Sequence, residues 1–174
     1  MKSFKVGLMI LLAIVFSVLS AQAQNTDGKK IGTMDLSKTF DGYAKTKEYD
    51  TYLEGKTKEY EKERNEKIDK LRDAQQKFEI VKEEEKKKLQ DEIEKMRTDL
   101  IEYDRQKKTD LTKERDEKIR EILLEIEKVV SDYAKKEGYA YILNDRVLIY
   151  GDKANDISEL ILKILNDGYS AKKK

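Results

Sequence analysis

Residues 139–158 read YAYILNDRVLIYGDKANDIS. Tyr139–Leu143 and Val147–Tyr150 are β-branched and aromatic runs separated by Asn144-Asp145-Arg146, a pattern that predicts a β-hairpin. Asp156, with Glu159 three residues on, has the spacing of a capping box. It introduces an amphipathic helix with Ile157, Leu160, Ile161, Ile164 and Leu165 on one face. Gly138, just upstream, is placed to end a preceding helix in the left-handed conformation.

Working outward, the stretch KIGTMDLSKTF (residues 30–40) predicts another short strand, Lys30–Met34, and then a helix with Asp35 as N-cap. The end segments therefore offer three short strands and one complete helix in roughly 60 residues, a size at which a single core is marginal. Oligomerisation is the usual remedy for such a body.

Between the ends lies a charged rod. From Lys56 to Glu137 there is neither Gly nor Pro. Apolar residues Leu89, Ile93, Met96, Leu100 and Tyr103 step by four, three, four and three, a coiled-coil seam. The outbound positions Leu53, Tyr60, Ile68, Leu71 and Phe78 mirror the return positions if the chain folds back near Lys82. That fold would bring Leu71 to Ile93, Ile68 to Met96 and Tyr60 to Tyr103 or Asp104. It would also bring Leu53 to Leu111, set Ala44 or Lys45 opposite Ile119, and leave Leu100 facing Arg64. Glu83, Glu84 and Glu85 would then open the returning helix, where the macrodipole favours acids. A single continuous helix is the alternative, with Glu83–Lys87 and Glu84–Lys88 as ion pairs. The stripe thickens toward the end of the rod, through Ile119, Ile122, Leu123, Ile126, Val129, Val130 and Tyr133, broad enough to pack against more than one partner.

The N-terminus carries a processing signal. Lys2 and Lys5 precede the apolar run VGLMILLAIVFSVLS, and Ala21-Gln22-Ala23 forms an A-x-A site. The expectation is a cleaved Sec signal peptide over residues 1–23 and export to the periplasm, with no stable membrane insertion, since the run is short for a span. The expected organisation is a body from 24–45 and 138–174, and a helical-hairpin arm from 46–137 with its tip near 80–83. The fold class is mainly α with a small β body.

Forty-two per cent of the residues are charged, with 37 basic and 36 acidic. Removing residues 1–23 takes away two lysines and leaves the charges almost balanced, which argues against nucleic acid as a partner. There is no His, Cys, Pro or Trp. Thiol chemistry, disulfides and the usual nitrogen and sulfur metal ligands are excluded. No catalytic triad or phosphate-cradling glycine loop is present. The sequence predicts no enzyme, no metal and no cofactor.

What remains is surface. Tyr49, Tyr52, Tyr60 and Tyr103 lie along the arms, and Phe78, Ile80 and Val81 near the tip. Aromatics on long charged arms suit weak, sequence-tolerant contact with apolar segments. These seven residues are the candidate client contacts. The candidate body and oligomer core comprises Ile31, Met34, Phe40, Ile122, Ile126, Val129, Ile142, Val147, Ile149, Tyr150, Ile157 and Ile161. The tail Lys172–Lys174 is expected to fray.

The ends and the rod together resemble the Skp/OmpH family of periplasmic chaperones. The matching residues are Ile31, Met34, Asp35 and Phe40, then Gly138-Tyr139, Ile142-Leu143-Asn144, Val147, Tyr150 and Asp156-Ile157-Ser158. The resemblance implies a homotrimer with a β-barrel-like hub and three helical tentacles around a cavity. It implies an ATP-independent holdase whose partners are unfolded outer-membrane β-barrel proteins. One departure matters: the best-known members are strongly basic, whereas residues 54–118 here hold 20 basic and 21 acidic residues. A positive client surface and a lipid or lipopolysaccharide site are therefore not carried over. The competing class is an envelope coiled-coil scaffold or spacer.

Overall fold

The structure is a computed structural model that describes residues 30–173. The expected signal peptide and its cleavage site after Ala23 lie outside the described residues. The elements, in order, are β1 (Lys30–Met34), α1 (Leu36–Gly42), α2 (Ala44–Ile80), α3 (Glu83–Glu137), β2 (Tyr139–Asn144) and α4 (Ser158–Lys172). Two 3-10 turns, Asp145–Val147 and Lys153–Asn155, lie between β2 and α4.

α2 and α3 form the arm. α2 has 37 residues and extends about 55 Å at 1.5 Å per residue. α3 is longer, with 55 residues, because its last part returns through the body. Only Val81 and Lys82 separate the two helices, and both are extended. The three glutamates Glu83–Glu85 fill the first turn of α3, where free backbone N–H groups favour negative charge. Lys86 pairs with Glu83 at 2.9 Å.

Near the tip, Ala74, Leu89 and Ile93 are buried, with Leu71, Phe78, Val81 and Met96 packed around them. Toward the root the pairing runs ahead of a strict mirror. Arg64 reaches Asp104 instead of covering Leu100, and Lys45 reaches Glu121 and Glu125, beyond Ile119.

The body closes around the root of the arm. Its core is Met34, Tyr43, Ile122, Ile126, Ile157, Ile161 and Leu165. Phe40, Val129 and Ile142 pack half-buried against it. Burying each large aliphatic side chain of this set contributes about 1.5–3 kcal/mol. Tyr43, at the junction of α1 and α2, is only 1% exposed and belongs to the body core.

β1 and β2 pair in parallel, with Ile31 opposite Tyr141 and Met34 opposite Asn144. Parallel neighbours require a crossover connection, and here the whole helical arm is that crossover. The expected hairpin between Tyr139–Leu143 and Val147–Tyr150 is not formed, and the second run is not a strand. Asn144 accepts a bond from the Arg146 N–H and winds the next residues into a 3-10 turn instead of reversing the chain. Asp152 starts the second turn in the same way. Val147, Ile149 and Tyr150 are left exposed on this chain, as is Ile31.

Local caps set the start of α1 and the end of α3. Asp35 Oδ1 accepts the Lys38 N–H at 2.8 Å and starts α1. Gly138 ends α3 with φ of 77°, a left-handed conformation that costs non-glycine residues about 1–2 kcal/mol. The capping box at Asp156 is not reciprocal. Asp156 Oδ1 accepts the Ser158 N–H at 2.9 Å, but the Glu159 carboxylate turns away to Lys38 at 2.6 Å.

Candidate functional site

The arm surface and the arm root are the two places where this fold presents functional chemistry. Of the seven arm candidates, Tyr60, Tyr103, Phe78 and Val81 are half-buried and engaged in the seam. Tyr49 is half-buried against Tyr52, with ring centroids 5.8 Å apart. Tyr52 is 46% exposed and Ile80 is 85% exposed. Ile101, which the sequence reading did not single out, is 69% exposed on α3. Its signal was available: it follows Leu100 immediately and so lies off the seam. Leu124 is a second exposed apolar residue of this kind, beside the stripe that packs into the body.

The middle of the arm is held by polar groups. Tyr60 and Tyr103 stack with centroids 6.0 Å apart. The Tyr60 hydroxyl and the Arg64 guanidinium both donate to Asp104, at 3.1 and 3.0 Å. Tyr103 donates to Glu63, and Lys67 and Lys107 lie over the Tyr103 ring at 4.9 and 5.6 Å. Partial burial works against the Asp104 charge, but the bonds from Arg64 and Tyr60 outweigh it and hold its carboxyl below the usual range. Burial and the bond to Glu63 both push the Tyr103 phenol well up.

At the root, Lys45 lies 2.8 Å from both Glu121 and Glu125. Burial disfavours the ammonium, yet the two carboxylates hold it above its ordinary value. Glu121 also takes Lys118 at 2.6 Å, and the bonds from Lys118 and Lys45 draw its pKa down to about 2. Burial pushes the Tyr43 phenol up to about 12. A cavity of about 440 Å³ opens beside this network, lined by Lys45, Glu48, Tyr49, Tyr52, Glu114, Lys118 and Tyr169.

The body carries an apolar groove of about 330 Å³ whose walls include Met34, Leu36, Leu123, Ile126, Val130, Ile142 and Leu143. Among the described residues there is no group of three His, Cys, Asp or Glu side chains arranged to hold a metal ion. No described helix is long and apolar enough to cross a membrane.

Residues 30–165 match the family model described as outer membrane protein (OmpH-like). This chain belongs to the OmpH-like family. The matched span of the OmpH-like chain takes in β1, both arm helices, β2 and most of α4. A crystal structure of a candidate outer membrane chaperone (OmpH-like) from Caulobacter crescentus CB15 has the same fold, with a TM-score of 0.75. The two share 8% identity, over 80% of the OmpH-like chain and 85% of the other. At that identity the likeness speaks for the fold. No curated protein matches the OmpH-like chain.

Proposed function

We propose that this protein is an ATP-independent holdase that binds unfolded outer-membrane β-barrel proteins in the periplasm and keeps them from aggregating. It works as a homotrimer without a cofactor. The reading rests above all on one arrangement: isolated exposed apolar residues, Tyr52, Ile80 and Ile101, spaced along a long arm of balanced charge. Scattered contacts of this kind bind many apolar segments weakly and none tightly. The arm also lacks a continuous apolar seam, since a polar cluster around Asp104 separates the tip core from the body core. An arm built this way adapts to clients of different size, unlike a rigid spacer.

The trimer is supported by the body's unburied apolar surface. Ile31, Tyr141, Val147, Ile149 and Tyr150 are exposed on the single chain, around a sheet of only two strands. Such a patch marks an association surface. The run Val147–Tyr150 is the segment that association would order.

The test is dilution of a urea-unfolded barrel protein into buffer without ATP. Light scattering should be suppressed at several-fold trimer excess; undiminished scattering there would sink the holdase reading. Sedimentation equilibrium of the chain lacking residues 1–23 should return a trimer.

A further inference from the structure

We propose that the last two turns of α4 form a latch that fixes the angle of the arm, and that Tyr43 is the hinge it restrains. α1 and α2 are almost one helix, interrupted at a single residue. Tyr43 is extended there, with φ −69° and ψ 127°. It occupies the N-cap position of α2 but makes no side-chain cap bond. The cap comes from a distant part of the chain: Asn166 Oδ1 on α4 accepts the Ala44 N–H at 2.8 Å. Asn is among the best capping residues, so the arm's first helix is started by the body's last one.

Four further contacts tie the end of α4 to the root. Tyr169 meets the Tyr43 ring edge-on, with centroids 5.7 Å apart. The Tyr169 hydroxyl donates to Glu48 Oε2 at 3.0 Å, and Lys173 pairs with that same oxygen. Lys172 reaches Glu125 on α3 at 3.4 Å. The C-terminal lysines described here are thus paired with both arm helices, contrary to the expectation of a frayed tail.

The closed root is not fully satisfied. Thr46 Oγ1 and Tyr49 Oη, on the first two turns of α2, are buried without a hydrogen-bond partner among the described residues. Leaving such groups unpaired is costly, and swinging the root outward would give both to water. The cavity beside Tyr49 is also lined by Tyr169 and gives that ring room to move. The arm is therefore poised: buried hydroxyls favour opening, and Asn166, Tyr169 and Lys173 oppose it.

The experiment needs no client, so its outcome is independent of the holdase reading. The chain has no Cys, and Lys62 on α2 and Lys153 in the body are both exposed. Nitroxide labels at K62C and K153C, with the labelled chain diluted into excess unlabelled chain, report the arm angle by double electron–electron resonance. Asn166→Ala and Tyr169→Leu should each widen the distance distribution at least twofold. Asn166→Asp, which keeps a capping oxygen, should retain the wild-type width. The exposed double variant Glu48→Gln/Lys173→Gln, which leaves the core intact, should also widen it. Wild-type widths in Asn166→Ala and in the double variant, or equal widening by Asn166→Asp and Asn166→Ala, would overturn the latch.

Discussion

Tyr60 and Asp104, 44 residues apart in the chain, meet across the arm, with the tyrosine hydroxyl donating to Asp104 Oδ1 at 3.1 Å. Arg64 shares the same carboxylate. The middle of the arm is therefore joined by a hydrogen-bonded pair of helices, where a coiled coil would place apolar side chains. Bonds of this kind at a partly exposed site add little net stability, but removing the shared acceptor leaves two donors without it. Asp104→Ala should speed amide hydrogen exchange several-fold across residues 57–67 and 100–107, with little change in the tip or the body. Uniform exchange rates along the arm in that variant would refute the claim that Asp104 joins the helices.

The root should be acid-sensitive. Glu121 is held at a pKa of about 2 by Lys118 and Lys45, against about 4.3 for an unperturbed glutamate. A carboxylate depressed in the folded state contributes stability that is present above its unfolded value and lost as pH falls through the folded one. The contribution of Glu121 is therefore complete near neutrality and decays between about pH 4.5 and 2. Glu121→Gln should flatten the fall in urea midpoint over that window and leave the neutral-to-pH 6 region flat. A variant whose acid limb follows the wild type would show that other carboxylates carry the effect.

Gly138 tests the end of α3. Its φ is 77°, and a Cβ added there would meet nothing within 4 Å. Any cost of Gly138→Ala is then a backbone cost, about 1–2 kcal/mol. Gly138→Asn should lose less, since Asn tolerates the left-handed region better. Equilibrium urea unfolding measures both.

Ile149 separates folding from assembly. It is fully exposed on the single chain, so Ile149→Asp should change the intrinsic stability of the protomer by no more than about 0.5 kcal/mol. In the proposed trimer the same charge is buried and association fails. Sedimentation should show the variant as a folded monomer. An intact trimer would remove the Val147–Tyr150 segment from the interface. By contrast, Ile161→Ala empties a fully buried site and should cost about 3 kcal/mol.

Client capture should depend little on salt, because the arm's charges are balanced and exposed charges are screened at about 10 Å in 0.1 M salt. Tyr52→Ala with Ile80→Ser should weaken suppression of aggregation several-fold at unchanged melting temperature. A steep loss of wild-type activity by 0.3 M salt would instead assign capture to charge patches.

Several features were legible from residue order alone. The apolar steps from Leu89 to Tyr103 and the mirrored positions of Leu71 and Ile93 specify helices that fold back, because helical periodicity is local and the mirror is arithmetic on positions. Asp35 and Gly138 mark helix ends because caps act within one turn. The segment after Asn144 was not legible. Its residues favour a strand, but a strand exists only with a partner, and β2 took β1 across a separation of more than a hundred residues. The mirror did place Tyr60 against Tyr103 and Asp104, but the exposure of Tyr52 and Ile80 was not legible, since it depends on how the two helices rotate about each other.

The sequence by itself determined what local chemistry can encode: helices, caps, the charge balance and the absence of histidine and cysteine. The tertiary structure alone decided which distant groups complete one another. Asn166 caps a helix that begins 122 residues earlier, and Lys173 and Tyr169 converge on Glu48. The parallel pairing of β1 with β2 belongs to the same class. These contacts arise only when the arm's two helices return the chain to its starting point, because chain closure, not residue preference, brings their partners within reach.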